Sequence, residues 1–211
     1  MKKISKLILA LLAALALNVV STRAAGPVRN ADIFPVLDFV VDNGGAPLTP
    51  ASDPGTKLYN GRFCDEHPPI LAPDGHQLTL GEWMTTRGRA SLKCINKGTH
   101  AVITLSGLIP KAVYTIWHIR LDSTGNAIGA GSLGPNDGSQ NVFEATADGD
   151  GNVSAITPAG PLSIFGDAEG CLLDEAHFIL FGVYHLDGQS HGPVPGPVPG
   201  CTFCEQFGFV F

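Results

Sequence analysis

The most informative signal for the fold of this chain is a stretch of seven residues, Leu108–Tyr114, with the sequence LIPKAVY. They connect two runs in which apolar and polar residues alternate: Ala101–Ser106 before them, and Val113–Leu121, which begins within them. Such alternation predicts half-buried strands. Pro110 lacks an amide hydrogen and cannot continue a strand inside a sheet. The spacing L-x-P-x-x-x-Y therefore closes one strand, crosses over and opens the next.

This spacing resembles the tyrosine corner of fibronectin type III domains and related Greek-key sandwiches. In that corner the Tyr hydroxyl bonds to the backbone a few residues upstream and fixes the crossover. The resemblance implies a structural role for Tyr114, with Leu108 and Pro110 shaping the corner. It implies architecture and no activity, because function is carried by sites rather than folds.

Short alternating segments separated by turns fill most of the chain. Gly and Pro number 26 and 16, and helix-period apolar patterns are scarce. The sequence predicts an all-β fold, an antiparallel Greek-key β-sandwich of the immunoglobulin or fibronectin type, with long loops and disulfides. Besides the two runs above, the predicted strands are Val36–Val41, Gln77–Trp83, Ala90–Ile95, Asn141–Ala147, Asn152–Thr157, His177–Leu186 and Glu205–Phe211.

The N terminus has the three-part pattern of a secretory signal: basic Met1–Lys6, apolar Leu7–Val20 and small residues around Ala24. We expect residues 1–25 to be a signal peptide and the protein to be secreted or periplasmic. No other apolar stretch approaches the roughly 20 residues of a membrane span, so none is expected after cleavage. The rest is predicted as one domain, in which residues 26–75 are loop-rich with one edge strand and residues 76–211 form the sandwich core.

The charge is uneven along the chain. The chain has 13 Lys and Arg against 19 Asp and Glu, a net charge of -6. Residues 121–211 contain eleven acidic residues and no Lys or Arg. Phosphate contacts are made chiefly by Lys and Arg, so no nucleic-acid partner is expected for this half. A surface of this kind attracts cations weakly.

Five cysteines follow the predicted signal peptide. Export implies an oxidising compartment, and an odd count leaves at least one thiol outside an intrachain bond. We predict a Cys64–Cys94 disulfide and a second one from Cys171 to either Cys201 or Cys204. The Cys201-x-x-Cys204 pair is interpreted as structural, with a redox-active pair as the alternative, because the strand–helix context of a redox motif is missing.

The main candidate site lies at the end of the strand predicted over His177–Leu186. His185, Asp187 and His191 offer two imidazoles and a carboxylate, which suit copper or zinc. His118, on a neighbouring strand, is the candidate third imidazole if the two strands pair with both side chains on one face. The structural alternative is that His185 caps the strand end and His191 bonds loop backbone.

Other chemical signals are weaker. Asp148–Asn152 imitates the start of a calcium loop, but Ala159 stands where the loop needs Glu, so calcium is less favoured and a plain turn explains the segment. Nucleophile elbows, phosphate loops and zinc-protease motifs are missing from the sequence, so no catalytic residue is predicted and an enzyme is not expected. The stretch Gly192–Gly200 (GPVPGPVPG) predicts an extended loop brace, with a proline ligand for a protein partner as the alternative.

Several stretches resemble a family of secreted β-sandwich proteins, mostly bacterial, to which no activity is assigned. They are Gly98–Trp117, Gly134–Phe143, Ala159–Gly166, Tyr184–Pro197 and Glu205–Phe211. The resemblance implies a shared fold and export. A fainter similarity is to the Cu/Zn superoxide dismutase sandwich, where a turn like Gly107–Pro110 leads into a strand with two His. This chain has only His118 on that strand, which puts that family's copper site in doubt.

Together these observations predict a secreted or periplasmic, non-enzymatic β-sandwich protein with a binding, structural or assembly role. Its partner would be a protein or a surface met through the loops. The alternative is a copper- or zinc-binding secreted protein, with redox activity as a further option.

Overall fold

The computed structural model describes residues 26, 28–61, 67–158, 171–174, 177–197 and 201–211. This part of the chain is almost entirely β-structure, as predicted. The elements in chain order are β1 Arg29–Asp32, β2 Phe34–Pro35, β3 Val40–Val41, β4 Tyr59–Asn60, α1 Leu80–Trp83, β5 Arg87–Ile95, β6 Gly98–Ser106, β7 Val113–Leu121, β8 Ala127–Ser132, β9 Val142–Glu144, β10 Gly151–Pro158, a 3-10 helix Leu172–Asp174, β11 His177–His185 and β12 Phe203–Val210.

Two antiparallel sheets make the sandwich. One has the strand order β1-β5-β6-β10, and the other has the order β2-β12-β11-β7-β8, with β9 paired to the start of β7. The chain crosses from the first sheet to the second between β6 and β7 and returns between β9 and β10. Because β10 then pairs with β6, the connections are of the Greek-key kind. A separate two-stranded sheet joins β3 to β4.

The core is built from side chains that alternate inward along the strands of both sheets. Leu92 and Ile103 from the first sheet share one buried cluster with Phe178, Phe207 and Phe209 from the second. Each of these side chains is fully buried. Phe207 and Phe209, two residues apart on β12, therefore both point into the core.

The predicted tyrosine corner is present between β6 and β7. The hydroxyl oxygen of Tyr114 accepts a hydrogen bond from Ile109 N at 3.1 Å and donates to Oε1 of Gln206 at 2.7 Å. Gln206 Nε2 in turn donates to the backbone oxygen of Trp83 at 3.1 Å. The corner is thus tied to β12 and to α1 through groups that are all buried.

The predicted strand Gln77–Trp83 is wrong at its end, where α1 forms instead. Thr79 and Glu82 make a capping box: Glu82 N donates to Thr79 Oγ1 at 3.3 Å, and Thr79 N donates to Glu82 Oε2 at 2.8 Å. This reciprocal pair satisfies amides that a short helix otherwise leaves exposed. Gln77 and Thr79 themselves form only isolated bridges.

The segment over residues 26–75 holds more β-structure than the single predicted edge strand. Strand β1 borders the first sheet and β2 borders the second, while β3 and β4 pair with each other. Strand β8 was also not predicted from the sequence. It is rich in small residues, and Gly129 lies against the guanidinium group of buried Arg120, where a Cβ would lie 2.5 Å from Nη2.

The predicted disulfide pairing is wrong. Cys94 bonds to Cys171, with a Cα–Cα distance of 5.7 Å and a sequence separation of 77, rather than to Cys64. Cys201 is disulfide-bonded, and Cys204 keeps a buried thiol whose Sγ lies 3.8 Å from Phe39 O. Cys64 and the predicted signal peptide over residues 1–25 lie outside the described residues. None of the described helices is long and apolar enough to span a membrane.

Candidate metal centre

The end of β11 brings the predicted ligands together within seven residues. His185 is the last residue of β11, and its carbonyl oxygen accepts from Gly188 N at 3.2 Å in a tight turn. Gly188 has φ +71, a conformation in which a side chain would be strained. Asp187 Oδ1 accepts from Gln189 N at 3.1 Å. The turn therefore directs His191 back toward the strand end.

His185, Asp187 and His191 form a compact group of ligand atoms. One nitrogen or oxygen from each residue lies within 4.8 Å of those from the other two. His191 Nε2 lies 2.9 Å from Asp187 Oδ2, and the two imidazole centroids are 5.9 Å apart. Among the described residues this is the sole group of three or more such side chains close enough to hold one ion.

His185 is held by neighbours on β7. Its Nε2 lies 2.8 Å from Thr115 Oγ1, and the same oxygen accepts from Trp117 Nε1 at 2.7 Å. Only 2% of His185 is exposed, and its Nδ1 has no hydrogen-bond partner in the described part of the chain. Burial lowers the pKa of His185 from 6.5 to about 4, so the imidazole is neutral at pH 7.

Thr115 can also set the tautomer of His185. Its oxygen accepts from Trp117 and has a second lone pair for the Nε2–H of His185. In that tautomer Nδ1 carries the lone pair that a metal ion needs. An outer partner that holds the second ring nitrogen is the usual support for a histidine ligand. Neither Thr115 nor Trp117 was predicted as a site residue from the sequence, although both lie on the face of β7 opposite to Tyr114.

His118 does not join the cluster, which corrects its place in the predicted ligand set. Strands β7 and β11 do pair, with Tyr114 opposite Tyr184 and His118 opposite Leu180. Side chains alternate faces along a strand, so fully buried His118 shares the inner face with Tyr114. His185 contacts Thr115 on the outer face. The two histidines therefore lie on opposite sides of the sheet.

The loop after β11 covers the outer face beside His185. Trp117, Val183 and Phe203 form a small buried cluster on that face. Gly196 lies against Phe203, where a Cβ would lie 2.5 Å from Cδ1. The described part of the Pro- and Gly-rich stretch, up to residue 197, therefore packs against this cluster.

A cleft of about 430 Å³ opens next to the ligand cluster. His185 and Asp187 are part of its wall, so the cleft and the cluster share two residues. Its wall also includes Lys111, from the tyrosine corner, and Glu144, from β9. The remaining lining residues are Leu71, Ala72, Pro73, Gly75, Val113, Tyr184, Leu186 and Gly188.

The calcium-like segment Asp148–Asn152 forms a turn between the sheets. Thr146 N donates to Asp150 O at 2.9 Å, and Leu108 N donates to Gly149 O at 2.9 Å. A Cβ on Gly149 would lie 2.5 Å from Leu108 O, so glycine is required there. The segment packs on the tyrosine corner, and its acidic residues take no part in a cation cluster among the described side chains.

These features define an all-β sandwich with a disulfide and with a His–Asp–His cluster at one end, beside a cleft. The sequence matches no protein-family model and no curated protein.

Proposed function

We propose that this protein is an exported β-sandwich binding protein that holds one copper or zinc ion with His185, Asp187 and His191. The observation that carries the proposal is the compact group of His185, Asp187 and His191, in which buried His185 has a ring nitrogen, Nδ1, without a hydrogen-bond partner. A buried polar atom that is left unpaired costs about 1–3 kcal/mol. A bound metal ion would remove that cost.

The ligand set and its spacing support copper or zinc. Imidazole and carboxylate ligands bind zinc at about 2.0–2.2 Å, which places neighbouring ligand atoms roughly 3.3 Å apart in a tetrahedral site. The present separation is 2.9 Å for His191 and Asp187, and all three ligand atoms lie within 4.8 Å. Small side-chain rotations are enough to form the site, and nitrogen-rich sets of this kind favour copper or zinc over calcium.

Charge and compartment support the same proposal. The cluster lies in residues 121–211, which contain eleven acidic residues and no Lys or Arg, and a region of this charge attracts cations weakly. The Cys94–Cys171 disulfide suits an oxidising compartment, in agreement with an exported protein. The Thr115 hydroxyl beside His185 is buried and accepts from Trp117 Nε1, so the proposal is for binding rather than catalysis.

The test is metal titration of protein purified without an affinity tag and stripped with a chelator. Isothermal titration with Zn²⁺ and with Cu²⁺ should give one equivalent. His191→Ala should weaken binding at least tenfold, because it removes one ligand from a partly exposed position with little risk to folding. The matched control is His100→Ala, since His100 bonds Ser154 on the outer face of the other sheet.

Two results would overturn the proposal. One is binding of less than one equivalent of either ion by folded protein. The other is equal affinity in the His191 and His100 variants. Tryptophan emission supplies a second readout, because Trp117 is linked to His185 through Thr115 and should be quenched when Cu²⁺ binds.

A further inference from the structure

The cleft beside the ligand cluster has features of a binding site of its own. Its volume of about 430 Å³ falls in the range of small-molecule pockets. Buried His185 lines it, so the unpartnered Nδ1 belongs to a residue that is common to cleft and cluster. Three protein ligands leave at least one coordination position of zinc or copper open.

The charges around the cleft favour an anion once a metal is bound. Lys111 is the single basic residue among the described lining residues, and Asp187 and Glu144 are the acidic ones. With a divalent ion bound, the metal contributes two positive charges and Lys111 contributes one, against two negative charges from the carboxylates. The metal and Lys111 together then give the cleft a net positive charge.

Lys111 is held in an unusual conformation at the cleft. Its φ is +59, which is uncommon for a residue with a side chain. Its amide donates to Ala145 O at 3.1 Å and to Thr146 O at 3.3 Å, which fixes the backbone. The corner therefore presents a cation at the cleft, whereas residues 121–211 contain no Lys or Arg.

We infer that the cleft binds a small dicarboxylate, with one carboxylate on the metal held by His185, Asp187 and His191 and the other paired with Lys111. This inference rests on the proposed metal site. The carboxylate that pairs with Lys111 gives the cleft its selectivity, because a ligand with a single carboxylate cannot pair with both the metal and Lys111.

The experiment compares succinate with butyrate, which has the same chain length and one carboxylate fewer. Binding is measured by calorimetry on the zinc-loaded protein and by the visible spectrum of the cobalt-substituted protein. We expect succinate to bind about tenfold more tightly than butyrate, as a charged hydrogen bond allows. Lys111→Asn should remove that preference, because Asn tolerates positive φ and carries no charge.

Lys97→Asn is the matched control, since it makes the same charge change in the exposed β5–β6 turn at the far end of the sandwich. Both variants should keep the zinc affinity of the wild type within about twofold. Equal binding of succinate and butyrate to metal-loaded protein would overturn the inference and leave the metal site standing. Equal succinate affinity in the two Lys variants would also overturn it. Failure to bind zinc would overturn both proposals.

Discussion

Gly138 lies directly against the carbonyl group of Gly192. A Cβ at Gly138 would overlap both the carbon and the oxygen of that carbonyl, and Gly138 has φ +74. The loop after β8 and the loop after β11 therefore touch backbone to backbone. Because Gly192 follows His191 directly, this contact sets the position of one of the three proposed metal ligands.

Gly138→Ala should weaken Zn²⁺ binding about tenfold, which is the lower end of the effect of disturbing a ligand's support. The added methyl group pushes Gly192 away and moves His191 with it. Calorimetric titration measures the change. Gly125→Ala is the control, because Gly125 has φ +87 in the β7–β8 turn with nothing within 4 Å of its Cβ position. The control carries the same backbone strain without the collision, so equal metal affinities in the two variants would contradict the prediction.

Thr115→Val should lower Zn²⁺ affinity about 10- to 100-fold. The change preserves shape but removes the oxygen that holds His185 Nε2 and Trp117 Nε1. It should also cost about 1–3 kcal/mol of the free energy of unfolding, because buried groups lose their partner. Titration and urea unfolding of the same preparation measure both effects.

Thr99→Val is the matched control for Thr115→Val. The Thr99 hydroxyl is also buried and accepts from Leu172 N at 2.7 Å, near the disulfide rather than the cluster. It should reduce stability by a similar amount and leave the metal affinity unchanged. If both variants lose metal affinity alike, Thr115 has no special part in orienting His185.

The regular strands could be predicted because their sequences alternate strongly. Strand β7 has the predicted bounds Val113–Leu121, and β6 begins a few residues before its predicted start. Strand β8 was missed because its small residues are selected by the space beside Arg120, which is a tertiary contact. Helix α1 was missed because its apolar residues also fit a strand, although the Thr79–Glu82 spacing is a capping signal.

In the candidate site too, residues linked by local sequence could be predicted, and residues brought together by the tertiary fold could not. His185, Asp187 and His191 could be grouped from the sequence because one short turn connects them. Whether His118 joins the cluster depends on which face of the sheet each of the two strands turns toward the core. That signal was available, because Tyr114 of the corner points inward and His118 is an even number of residues further along the same strand. The cleft with Lys111 involves distant segments and had no local signal.

Tyr114→Phe should lower the free energy of unfolding by about 2–3 kcal/mol. The change leaves Ile109 N and Gln206 Oε1 without their partner in the buried corner, and unsatisfied buried groups cost about 1–3 kcal/mol each. Urea unfolding followed by circular dichroism measures it. The control is Tyr184→Phe, directly opposite on β11, which removes a single bond to Leu71 O. A smaller loss is expected there, and a larger loss at Tyr184 than at Tyr114 would contradict the structural role of the corner.

His76 should make stability depend on pH above 6.5, its ordinary pKa. Its Nδ1 lies 2.6 Å from Asp74 Oδ1 and its Nε2 lies 2.9 Å from Glu82 Oε1, so only the doubly protonated ring donates to both. The hydrogen bond to Asp74, followed by that to Glu82, raises the pKa of His76 above its ordinary 6.5. The folded state then holds the proton more tightly than the unfolded state. The resulting stabilisation is complete below pH 6.5 and is lost as pH rises through the raised pKa.

His76→Gln should therefore flatten the fall in the free energy of unfolding above pH 6.5, the ordinary pKa of the residue. Asp74→Asn should remove the larger part of the same dependence, because Asp74 is the main cause of the raised pKa. These groups are exposed, so about 1 M salt should weaken the effect in the wild type. Urea midpoints measured in steps of pH supply the curve. A wild-type slope that persists unchanged in the His76 variant would assign the pH dependence to other groups.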